Sequence, residues 1–202
     1  MENPYKRGMG LEYFTLGYNI LEATASMFFG FRAGSIALVG FGLDSVVESL
    51  SGLILLWRLR KHDTLSAEEE RNLEKKAVKF VAITFLILGA YVLFQSAKKL
   101  IYSEIPEPSL PGIIISVLSL IIMPILARRK YLVGVQIGSR ALIADSKETF
   151  ACALLSLALL LGLGLNYVAH IWWADPVAAL AIVAFLFREG WEGLHGGAEE
   201  EE

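Results

Sequence analysis

Long apolar runs alternate with short polar interruptions along the whole chain. The runs fall at 13–31, 35–59, 77–102, 113–126, 139–165 and 175–188. Most approach the roughly twenty residues needed to cross a bilayer core as a helix. The pattern predicts six membrane-spanning helices. The interruptions differ in chemistry. Residues 32–35 (RAGS) make a tight turn. Residues 58–76 (RLRKHDTLSAEEERNLEKK) are densely charged, and Ser66 three residues before Glu69 has the capping-box spacing of a helix start. Residues 103–112 (SEIPEPSLPG) hold three prolines and no base. The fifth run gives way to NYVAHIWWA, whose aromatic rings suit a membrane–water interface. Asp175-Pro176 then reads as an N-cap followed by proline at the first helical position.

Composition agrees with that reading. Of 202 residues, 55% are hydrophobic, more than a water-soluble domain of this size carries. The fold class is therefore an all-α membrane protein, a bundle of six transmembrane helices. Residues 1–12 form a polar lead, 13–190 the membrane domain, and 191–202 a short polar tail. No cleavable signal peptide is expected, because the polar lead passes straight into the first of several spans. The net charge of −3 says little, but the loop charges say more. Arg58, Arg60, Lys61, Arg71, Lys75, Lys76, Arg128, Arg129 and Lys130 follow the second and fourth spans, whereas the other loops hold only Arg32. The positive-inside rule places the first group, and with it both termini, in the cytoplasm. The expected location is the cell (inner) membrane. A lipid bilayer is the expected partner, and no nucleic acid is.

The candidate chemistry lies in the second span. Its centre, GFGLDSVVESLSG, carries Asp44 and Glu48 four residues apart, one helical turn from each other on one face. Acids in an apolar span are costly and mark a functional site by default. The fifth span repeats the outline. When ALVGFGLDSVVE (37–48) is laid over ALIADSKETFAC (141–152), Asp44 falls on Glu148, Ser45 on Thr149 and Glu48 on Cys152. Two helices, each with two metal-competent groups one turn apart, could enclose a divalent ion. The competing reading of the acids is a structural ion pair with Lys147 or another base. Asn19 and Glu22 in the first span, and Asp145 and Lys147 beside the fifth-span pair, are further metal or gating candidates. His62 and Asp63 could form a second site in their loop, although a solvated loop is the simpler reading. The glycines of GFGL follow no strand, which sets a nucleotide loop aside; they suit close helix packing. The single cysteine, Cys152, forbids an internal disulfide.

Taken together, AGSIALVGFGLDSVVESLSG, ALIADSKETFACALLSLALLLGLGL and WWADPVAALAI resemble the cation diffusion facilitators, six-helix metal/proton antiporters. The resemblance runs from about Leu16 to Trp191. It implies that Asp44, Glu48, Glu148 and Cys152 are the metal ligands, at positions usually held by His or Asp followed by Asp. It also implies a homodimer. Glu48 is longer than the usual aspartate, and Cys152 replaces one. The family's C-terminal cytoplasmic domain is expected to be absent, since the sequence stops soon after the sixth span.

The ligand set bears on the cargo. Carboxylates suit a hard ion such as manganese, while a thiolate shifts the preference towards zinc or iron(II). Crowded carboxyls in a low-dielectric site cannot all stay ionised, and metal ligands must be deprotonated. Metal and protons then compete for one site, which predicts an antiporter exporting a divalent transition metal. The alternative is a membrane metal sensor or regulatory subunit that does not transport. No enzyme is expected, because the acids come without a serine–histidine arrangement and no span holds a histidine.

Overall fold

A computed structural model describes residues 4–61, 67–103, 107 and 109–195. His62, Asp63, Ser66 and the acidic tail lie outside them. The described residues form six helices and no strand: α1 (Pro4–Ala33), α2 (Ile36–Lys61), α3 (Ala67–Tyr102), α4 (Leu110–Ile137), α5 (Arg140–Ala169) and α6 (Ala174–His195). The expected six-helix bundle is the observed fold. Within α2, α3, α4 and α5 lie stretches long and apolar enough to cross a membrane: Ile36–Trp57, Phe85–Tyr102, Leu110–Ile137 and Ala141–Ala169. The chain is an integral membrane protein.

Most helices run past the apolar runs that predict them. The polar lead is already helical from Pro4, and α4 continues eleven residues beyond 126, to Ile137. The turns follow from local chemistry. Gly138 adopts φ +67° and closes α4, its N–H directed at the carbonyls of Gly134 and Val135. Ser139 then caps α5, its hydroxyl accepting from Leu142 N–H at 3.3 Å. Ser109 does the same for α4, accepting from Gly112 N–H at 3.2 Å. Pro124 sits inside α4.

The helices are packed as pairs. α1 lies along α2, α4 along α5, and α3 along α6, while α2 and α5 meet in the middle. Lipid tails are as apolar as leucine, so close packing rather than water exclusion holds such helices together. Small residues permit it. A Cβ on Gly42 would stand 3.0 Å from Ser26 Cβ and 3.1 Å from Ala23 O, so α2 and α1 touch backbone to backbone beside the acid pair. A Cβ on Gly162 would stand 2.5 Å from Ala178 Cβ, where α5 crosses α6. Phe41, Leu38, Val92, Met123, Leu159 and Ile182 fill the space between the pairs. Outward faces carry Leu21, Phe28, Ile87, Phe94 and Val168.

The contrast between two glycines tests this packing. Gly162→Ala should cost about 1–3 kcal/mol by overpacking. Gly164→Ala, with nothing within 4 Å of the added methyl, should be neutral or slightly stabilising. Thermal unfolding in detergent measures both; equal midpoints would contradict the α5–α6 contact.

Candidate functional site

The first helix turns its polar side inwards. Glu12, Thr15, Asn19, Glu22 and Ser26 are all buried, at spacings of three and four residues that trace one helix face. Phe14, Leu21, Phe28 and Phe31 point outwards. The other helices answer with Asp44, Ser45, Glu48 and Ser49 of α2, Ser116, Ser119 and Lys130 of α4, and Asp145, Ser146, Thr149, Cys152 and Ser156 of α5, all buried. A polar seam therefore runs through an apolar bundle.

Antiparallel packing sets which groups meet. Since α2 and α5 run in opposite directions, the two motifs face each other in reverse order. The Cys152 thiol, not Glu148, is the neighbour of Asp44, and it also stands beside Glu48. Thr149 donates to Glu48 Oε1 at 3.0 Å. Glu148 lies one turn closer to the end that carries both termini, and it accepts from Ser51 at 3.2 Å. From α1, Glu22 accepts from Ser45 at 2.9 Å and faces Ser119 and Tyr18. The charged groups acting most strongly on Asp44 are all acidic: Glu48, Glu22 and Glu189. Lys130 is the charged group acting most strongly on Glu48, so a base is near one member of the acid pair.

Spare coordinating capacity is concentrated here. Neither amide atom of Asn19 has a partner, nor do Glu22 Oε1 and Glu48 Oε2, although all four are buried. Asn19 Oδ1, Glu22 Oε1 and Glu48 Oε2 are thus buried oxygens whose lone pairs are open to a cation. The donors do not yet close round one point: among the described residues, no three His, Cys, Asp or Glu groups form a cluster able to hold a metal. Asp44 and Cys152 are nonetheless adjacent, and Glu48 and Glu148 flank them.

Two polar ties bound this chamber. Towards the termini end, Lys130 is fully buried. Its ammonium donates to Asp145 at 2.5 Å, to Glu12 at 3.3 Å and to Thr149 at 3.2 Å. Because the Thr149 hydroxyl also lies 3.0 Å from Glu48 Oε1 and 3.1 Å from the Asp145 carbonyl, the tie connects α4 to α1, α5 and α2. At the opposite end, Asp175 accepts from the Ser35 hydroxyl and, at 3.0 Å, from Ile36 N–H. It therefore caps the start of α2 rather than α6, which already begins at Ala174. Lys99 donates to the Gly34 carbonyl in the same layer.

Several placements differ from the sequence reading. Lys130 is not a loop charge but a fully buried cation of the bundle. Lys147 is exposed, whereas Asp145 is buried against Lys130. Glu12 belongs to the interior, not to a polar lead. Glu189 is half-buried on α6 and acts electrostatically on Asp44 and Glu148. The spacing of Glu12, Thr15, Asn19, Glu22 and Ser26 was the available signal for the α1 face. Nothing comparable marked Lys130, which follows two exposed arginines.

A model of the cation efflux transmembrane domain matches residues 14–195, reaching all six helices. The chain belongs to the cation efflux family. It is similar to transmembrane protein 163 of Xenopus laevis, at 23% identity over 94% of this chain and 66% of that protein. It also resembles an uncharacterized transporter of Methanocaldococcus jannaschii, at 25% identity over 84% of this chain and 61% of the relative. The magnetosome protein MamB of a Magnetospira species is 26% identical over 86% of this chain and 60% of its own length. The chain thus spans under two thirds of the length of these relatives.

The buried ion cluster of this cation efflux chain should dominate its stability. Lys130→Ala leaves Glu12 and Asp145 buried without their cation and should cost about 3–5 kcal/mol. Adding Glu12→Gln and Asp145→Asn should recover most of it. Unfolding midpoints in detergent provide the check; no recovery would mean that packing, not charge, explains the loss.

Proposed function

We propose that this chain is a divalent transition-metal transporter that exports its cargo from the cytoplasm in exchange for protons. The observation that carries the reading is the meeting of Asp44 and Cys152 across α2 and α5, flanked by Glu48 and Glu148 in a chamber of unpartnered acceptors. Family membership supports a cation as cargo. Asp44, Glu48, Glu148 and Cys152 are the proposed ligands, and Asn19 and Glu22 supply further oxygen atoms from α1. Closing round one ion requires α2 and α5 to shift relative to each other, since the four donors do not form a cluster in this structure. A carboxylate and thiolate set favours zinc or iron(II) over manganese.

Proton exchange follows from the same groups. Acids crowded in a low-dielectric interior cannot all stay ionised, so protons compete with metal for them. A divalent ion requires deprotonated ligands and expels the protons. Access must alternate, because the Lys130 tie stands on one side of the chamber and the Asp175–Ser35 tie on the other. With both termini cytoplasmic, as the exposed Arg128 and Arg129 suggest, the Lys130 tie is the cytoplasmic one. A homodimer in the cell membrane completes the proposal.

Proteoliposomes with an imposed pH gradient test it. Zinc, iron(II) or manganese uptake should follow the gradient, and Asp44→Ala should reduce it by at least about a hundredfold, beyond the loss typical of outer-sphere partners. If metal binds in an Asp44-dependent way yet never moves, the chain is a non-transporting sensor. Cys152→Asp should shift the preference from zinc towards manganese, because it replaces a soft donor with a hard one. Competition among the three metals in the same assay reads that shift, and an unchanged order would remove Cys152 from the ligand set.

A further inference from the structure

On the outside of the bundle, at the termini end, α1 and α4 separate to leave a crevice of about 710 Å³. Its walls carry Lys6 and Arg7 from α1 and Arg129 from α4, and among the described residues no acid lines it. All three cations are exposed, and none forms an ion pair with a described residue. The floor is apolar, made by Leu11, Leu132 and Val133. Leu132 is 57% exposed and opens the floor towards the surrounding lipid. Gly10 keeps the crevice wide, with nothing within 4 Å of where a Cβ would stand.

We infer that this crevice binds an anionic phospholipid. The phosphate-bearing headgroup lies between Lys6, Arg7 and Arg129, and an acyl chain leaves along Leu11 and Leu132. The apolar floor decides between lipid and free phosphate, since a small anion gains nothing from leucine side chains. Position agrees, because the crevice opens at the end of the spans that the loop charges assign to the cytoplasm. There an anionic leaflet attracts basic residues. The crevice also adjoins the buried ion cluster: Leu11 precedes Glu12, and Arg129 precedes Lys130. A lipid held there spans from outside the same two helices that Glu12 and Lys130 join from within.

The test is a thermal-shift titration of the full chain in detergent. The additives are phosphatidylglycerol, phosphatidylcholine and inorganic phosphate. Phosphatidylglycerol should raise the midpoint saturably, and the other two should not. The triple change Lys6→Gln, Arg7→Gln, Arg129→Gln should weaken the apparent affinity at least about tenfold. Gly10→Leu, which fills the crevice and keeps every charge, should weaken it similarly. It also serves should the triple variant fail to fold. Equal shifts with phosphatidylcholine would overturn the headgroup assignment. An equal shift with inorganic phosphate would make this a small-anion site. Undiminished lipid binding by Gly10→Leu would reduce it to a diffuse basic surface. None of these outcomes depends on transport, so the proposed antiport stands or falls separately.

Discussion

An ammonium group sealed from water is the constraint that the rest of the bundle answers to. Lys130 cannot be left alone in an apolar interior, because an unpaired buried charge costs several kcal/mol. Its partners come from Glu12, Asp145 and Thr149. To supply them, α1 must enter the bundle with its polar face inwards, and α5 must present its first turns to α4. Thr149, held by the lysine, then orients Glu48. The chamber acids are thus fixed by a group that is not among them.

This dependence explains what could be read in the sequence. Helix number and order were legible, because apolar runs of bilayer length leave little freedom. Asp44, Glu48, Glu148 and Cys152 were legible as candidates, since the α2 outline recurs in α5. Their pairing was not. Laying one motif over the other sets Asp44 on Glu148, but antiparallel helices reverse the order and bring Asp44 to Cys152. Glu12 and Lys130 were hidden for another reason. Each stands where a polar segment meets an apolar run, and hydropathy alone assigns such residues to the water side. Their mutual attraction draws them inwards, and a one-dimensional pattern does not contain that term.

The two ties differ in kind. The one at Asp175 is built on backbone: the carboxylate serves the first amide of α2 and the Ser35 hydroxyl, fixing helix ends to each other. The one at Lys130 is built on a flexible side chain with several acceptors in reach. A long ammonium arm can exchange partners while its helix moves, which a helix cap cannot do without uncoiling. The chamber therefore has a stiff boundary at one end and a yielding one at the other.

Pro124 gives α4 a mechanical character that its neighbours lack. A proline within a helix offers no N–H, so the carbonyl one turn earlier, at Leu120, loses its helical partner, and the ring pushes that turn aside. The break falls between Ser119, which faces Glu22, and Lys130. α4 nevertheless runs as one continuous helix from Leu110 to Ile137, with that backbone hydrogen bond missing. The lysine of the ion cluster and the serine that faces Glu22 therefore share one helix whose hydrogen-bond ladder lacks a rung between them.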